Sequence, residues 1–192
     1  LPRQTMNAAD PHDTRNVVQR LTFGGNNRLP AWSGDSKRVA YQSDREGDAG
    51  VWWQLADGSG PSERLTKPEA GEVHVPLSFT KDGRYLLVGT NRGSAHSVSL
   101  LSFANKQLTR LDTISSTTPT TATFSPDGHW IAYATTEAGA TTVYVQPFPA
   151  TGAKFRLTPQ AGDVPHQPRW SPDSTELFYN PRPAGFGVVR II

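Results

Sequence analysis

Phe124-Ser125-Pro126-Asp127-Gly128 places an aromatic ring directly ahead of a tight turn, and the chain spells that arrangement four times. The other copies are Trp32-Ser33-Gly34-Asp35-Ser36, Phe79-Thr80-Lys81-Asp82-Gly83 and Trp170-Ser171-Pro172-Asp173-Ser174. Beyond each turn comes a glycine, and Gly47, Gly93, Gly139 and Gly185 stand 46 residues apart. Arg64-Leu65, Arg110-Leu111 and Arg156-Leu157 each follow the first three glycines at one constant interval. Self-similarity at a fixed period of this length is the mark of stacked supersecondary repeats, and here it occupies nearly all of the 192 residues.

Each unit reads as four short β-rich runs divided by turn residues, in the first unit 29–33, 38–43, 51–55 and 63–66. The Asp-Gly or Asp-Ser pairs predict a first hairpin whose two central residues both take positive φ. The periodic glycines predict a second hairpin, where the missing Cβ removes the steric cost of a left-handed residue. Four antiparallel strands at a period near 45 residues describe an all-β protein built of β-propeller blades. The inner-strand aromatics Trp32, Phe79, Phe124 and Trp170 are predicted to fill the layers between blades. Trp52 and Trp53, adjacent on a strand, must point to opposite faces. One is then buried in its own layer, and the other packs on a neighbouring blade or stands out as a binding anchor.

The units lie near 23–66, 67–112, 113–158 and 159–192, after a polar linker at 1–15 that contains Pro2 and Pro11. Residues 17–22 match the fourth strand of a unit and 188–192 match a third, so the first segment is expected to complete the last blade and close the ring. About four blades follow, as a closed ring, as part of a larger ring, or as half of an eight-bladed ring made by a homodimer.

Composition narrows the function. Nineteen Lys+Arg against 17 Asp+Glu give a net charge of +2 with no concentrated basic stretch, which argues against nucleic-acid binding. The absence of cysteine excludes disulfides, thiolate metal sites and a cysteine nucleophile. No apolar run approaches the roughly 18 residues of a membrane span, so this segment is read as a soluble piece that does not insert directly into a bilayer. There is no Gly-x-Ser-x-Gly elbow, no His-Glu-x-x-His and no phosphate-binding glycine loop. Asp35, Asp82, Asp127 and Asp173 recur once per unit and are assigned to bonding turn amides rather than to catalysis.

The elements Trp32-Ser33-Gly34-Asp35, 39–47 and Glu63-Arg64-Leu65-Thr66 resemble the TolB-type propeller repeat, with its Trp-Ser-Pro-Asp-Gly turn, Ser-Asp-Arg turn and closing Arg-Leu-Thr. Gly34 and Lys81 depart from the pattern where proline is expected. Residues 142–149, 169–173 and 176–179 also look like the propeller regions that follow the catalytic domain in some bacterial serine/threonine protein kinases. That resemblance implies a sensor or docking module in a periplasmic or otherwise extracytoplasmic setting. Kinase motifs are themselves absent.

The connection into each innermost strand opens onto the mouth of the propeller channel. Arg28, His74, His166 and Gln167 fall there and are the residues expected to face one protein, peptide or small acidic ligand. The third unit offers Thr118 and Thr120 at that end. Two readings compete with a non-catalytic module. In the first, His74 and His166 hold a divalent metal for a lyase or hydrolase at the same mouth, as the resemblance to propeller lyases with His and Gln ligands implies. In the second, the chain is a structural fragment of a larger propeller.

Overall fold

The computed structural model describes residues 20–157, 166–180 and 185–191. Fifteen strands form four antiparallel sheets in chain order, and the described residues contain no helix. The first blade comprises β1 (Asn27–Trp32), β2 (Arg38–Ser43), β3 (Gly50–Leu55) and β4 (Glu63–Arg64). The second comprises β5 (Glu72–Phe79), β6 (Tyr85–Arg92), β7 (Ala95–Ser102) and β8 (Gln107–Ser116). The third comprises β9 (Thr121–Phe124), β10 (Trp130–Glu137), β11 (Ala140–Pro147) and β12 (Phe155–Leu157). The fourth has β13 (His166–Trp170), β14 (Glu176–Asn180) and β15 (Gly187–Arg190). Every sheet pairs its strands in sequence order, and the innermost strands pack β1 on β5, β5 on β9 and β9 on β13. This is a four-blade β-propeller.

The turn motif is built the same way in all four blades. Ser33, Thr80, Ser125 and Ser171 each accept, at their hydroxyls, the amide five residues on, and each donates to the aspartate two residues on, at 2.5–2.7 Å. Those aspartates in turn accept the backbone amides of Lys37, Arg84, His129 and Thr175 at 3.0–3.2 Å. The expected pair of positive-φ residues is corrected here. Only the residue after the aspartate is left-handed (Ser36 57°, Gly83 70°, Gly128 77°, Ser174 64°), and its amide donates back to the first residue of the turn. A tight turn followed by one left-handed residue leaves the aspartate free to cap, which a two-residue hairpin would not. The periodic glycines do carry positive φ, from 57° at Gly93 to 107° at Gly185.

Three apolar layers hold the blades together. Ala40 and Val51 of the first blade meet Phe79, Leu86 and Val88 of the second. Leu87, Val98 and Ile114 meet Phe124, Ile131 and Tyr133, and Ala132, Ala134 and Val143 meet Leu177 with Trp170 and Tyr179. Side chains of one strand alternate between the two layers, because successive residues point to opposite faces of the sheet. Trp52 is buried on the outward face of the first blade beneath Arg45, whose guanidinium lies 4.7 Å from the indole. Trp53 stacks on Phe103 at 4.8 Å in the first layer.

Trp32 does not fill a layer, contrary to the sequence expectation. It is 58% exposed, whereas Phe79 and Phe124 are below one-tenth. Each of these rings packs on the blade before its own, and the first blade has no predecessor among the described residues. The proposed closing strand at 17–22 falls partly outside the described residues. Arg20, Leu21 and Thr22 are not in a strand, and the Leu21 carbonyl accepts Gln54 Nε2 of the first blade at 2.5 Å.

Candidate functional site

A cavity of about 620 Å³ lies on the propeller axis, walled by all four innermost strands. Its apolar lining includes Val73, Val75, Leu77 and Ala122, with one proline from each blade: Pro30, Pro76, Pro119 and Pro168. Proline suits this position because the innermost strand of a blade has one unpaired edge, where a missing amide costs no ladder bond. The polar groups are Arg28, Gln42, Asn91, Thr120, Thr121, Thr123, Gln167 and Arg169.

The first and fourth blades shape the cavity by the same device. In β1 the pairing register shifts between Arg28 and Ala31, and in β13 between His166 and Arg169. Leu29 and Gln167, the residues before Pro30 and Pro168, take φ of 55° and 53°. A left-handed residue without glycine is strained, and the bulge it creates re-aims the neighbouring side chains. Strain of this kind is concentrated at ligand sites. Both residues line the cavity.

Its electrostatics favour an anion. Among the described residues neither Arg28 nor Arg169 is in a salt bridge and no carboxylate lines the cavity, although the Arg28 charge is felt by the Asp44 carboxyl. The hydroxyls of Thr120 and Thr121 are buried there without a hydrogen-bond partner among the described residues. A buried hydroxyl left unmade costs free energy that a ligand can recover.

Of the four residues named from sequence, Arg28 and Gln167 line the cavity. His166 begins β13, half-buried, immediately before the strained Gln167. His74 does not line this cavity and is 3% exposed. Its backbone carbonyl accepts Gln42 Nε2 at 2.9 Å, so it fixes a cavity residue through the main chain. The ring lies on a second, polar cavity of about 460 Å³ shared with Glu72, Thr90, Arg92, His96 and Ser99. Burial pushes the His74 imidazole below its usual pKa, against the opposing pull of Glu72 and Asp48, so it is neutral near pH 7. Its Nδ1 has no hydrogen-bond partner among the described residues, and Nε2 is 3.7 Å from a Glu72 carboxylate oxygen. Among the described residues no three His, Cys, Asp or Glu side chains converge in a way that fits a metal ion. Sequence reasoning missed Arg169, Asn91 and Thr121. Arg169 aligns with Ala31 in the repeat, which packs in the first layer and not on the cavity, so the repeat pattern does not mark this position.

Residues 30–191 match the family model described as TolB beta propeller domain. Among solved structures, TolB from Acinetobacter baumannii superposes with a TM-score of 0.71 at 23% identity, over 85% of this chain and 40% of that one. A putative TolB from Agrobacterium tumefaciens gives 0.67 at 17% identity, over 81% and 54%. The curated protein called uncharacterized peptidase YuxL, from Bacillus subtilis (strain 168), is 36% identical over 69 residues, which is 36% of this chain and 10% of that protein. The chain thus spans well under two thirds of each of these proteins.

Proposed function

We propose a recognition role from one premise: this chain belongs to the TolB β-propeller domain family. It acts as a non-catalytic module that takes an acidic ligand, either a carboxylate-rich peptide segment of a partner protein or a small acid, in the axial cavity. The observation that carries this reading is the pair of arginines, Arg28 and Arg169, neither in a salt bridge among the described residues, that line one cavity with apolar side chains and two threonine hydroxyls without a described partner. A guanidinium offers a planar fork of donors matched to a carboxylate. Arg28 and Arg169 are both exposed on the cavity wall, so the contact is open to screening by salt. Gln167 and Gln42 would orient the ligand, and His74 would act by holding Gln42. We further assign the module to an extracytoplasmic setting, as the sensing part of a signalling protein; no described helix is long and apolar enough to cross a membrane.

The test is fluorescence polarisation with a fluorescein-labelled oligoglutamate peptide, using the matched oligoglutamine peptide as control. Saturable binding that weakens with salt, and about tenfold weaker binding for Arg28→Ala and Arg169→Ala, is expected. Equal binding of the two peptides, or unchanged affinity in both variants, would overturn the assignment.

A further inference from the structure

The axial site makes no use of the polar cavity around His74. That cavity continues the face of the second blade that packs on the first, where Val88 gives way to Thr90 along β6. The second blade has a neighbour on each side within the described residues, so this face is not an end of the array. Three strands set a row of side chains across it: His74 of β5 pairs with Thr90 of β6, which pairs with Ser97 of β7. Directly opposed residues of antiparallel strands share a face, so these three side chains stand side by side. Glu72, Arg92 and Ala95 form the next row.

The first row carries hydrogen-bonding capacity that the protein leaves unused. His74 is 3% exposed, and neither ring nitrogen has a hydrogen-bond partner among the described residues, since Glu72 at 3.7 Å from Nε2 is beyond hydrogen-bond reach. Ser97 is 7% exposed and makes no side-chain hydrogen bond among the described residues. Thr90 and Ser99 share one weak contact at 3.3 Å. Buried polar groups without partners cost free energy, which a ligand that supplies partners recovers. The charges of the second row are compensated, because Arg92 meets Glu69 at 2.6 Å and Glu72 at 3.1 Å. Lys67 and Arg110 also line the cavity but are exposed, where salt screens them.

We propose that this cavity is a second binding site, for a neutral polyhydroxylated ligand of monosaccharide size. Each hydroxyl of such a ligand both donates and accepts, as do the serine and threonine hydroxyls, and a neutral imidazole offers one donor and one acceptor. A charged ligand would bring an uncompensated charge against a balanced pair, and a neutral one avoids that cost. Ala95 and Leu108 supply apolar contact for the C–H groups of a sugar ring. The volume of about 460 Å³ lies within the range of small-molecule sites. The two cavities thus differ in chemistry: the axial one suits an acid, and this one suits a neutral polyol.

Saturation-transfer-difference NMR of the 192-residue chain with D-glucose, D-galactose and D-mannose is the test. At least one hexose is expected to give a saturable signal at millimolar concentration. Ser97→Ala and Thr90→Val each remove one hydroxyl at little change in volume, so both should keep the parent circular dichroism and bind that hexose about tenfold more weakly. An excess of D-glucuronate should leave the hexose signal in place. No saturable signal from any of the three hexoses, an affinity unchanged in both variants, or displacement by glucuronate would each overturn the proposal.

Discussion

Gly34 of the first blade lies against the backbone of Lys81 in the second so closely that a Cβ on the glycine would collide with the Lys81 and Thr80 carbonyl oxygens. These are equivalent positions of adjacent turns, and glycine stands where the repeat pattern calls for proline. The departure therefore has a steric reason: the two turns touch main chain to main chain. Gly34→Ala is expected to lose about 1–3 kcal/mol from overpacking a contact with no flexible side chain to move aside. Chemical denaturation with an unchanged m-value would check it.

Ala138 carries a φ of 48° beside Gly139 in the hairpin joining β10 and β11. An L-residue with a Cβ is disfavoured there, and glycine is not. Ala138→Gly should raise stability by about 0.5–1 kcal/mol, read as a higher melting temperature. A decrease would show that the Ala138 methyl contributes more than its backbone costs.

The Asp82 carboxyl is held down to about 2 by the Arg84 amide, the Thr80 hydroxyl and the Arg84 guanidinium. Its pKa is thus lower folded than at the ordinary 3.8. The stability it contributes is complete above 3.8 and disappears as pH falls toward 2. Acid titrations of the parent and Asp82→Asn should therefore differ at neutral pH and converge in that window. A constant gap down to the acid limit would contradict the assignment.

Phe124 and Trp32 occupy the same position of the repeat but not the same environment. Phe124→Ala should cost about 3–5 kcal/mol through a cavity between the second and third blades. Trp32→Ala should cost within about 0.5 kcal/mol, as expected of a surface position. Equal losses would mean that Trp32 is covered within its own chain.

Much of the fold is legible in the residues because a blade is a local object. The alternation of each strand, the Ser-x-Asp turns and the periodic glycines all act over a few residues, so their spacing alone reports them. The fate of Trp32 is different in kind, since its burial depends on a blade that precedes it. Residue type could name the ring as a packing group but could not say whether a partner stood beside it.

Four repeats of four-stranded type, their order, and aspartates that cap turns were determined by sequence, because period-two alternation and turn chemistry act through nearest neighbours. Sequence placed Arg28, Gln167 and Thr120 at the channel mouth, and tertiary structure decided which other residues join them in the candidate site. It gathered Arg28, Gln167, Arg169 and the orphaned Thr120 and Thr121 around one axis, and it set the His74 ring aside in another cavity. Convergence of inner strands and a single-residue bulge, which reverses the direction of every side chain it passes, settle which residues meet, and neither is encoded in spacing along the chain.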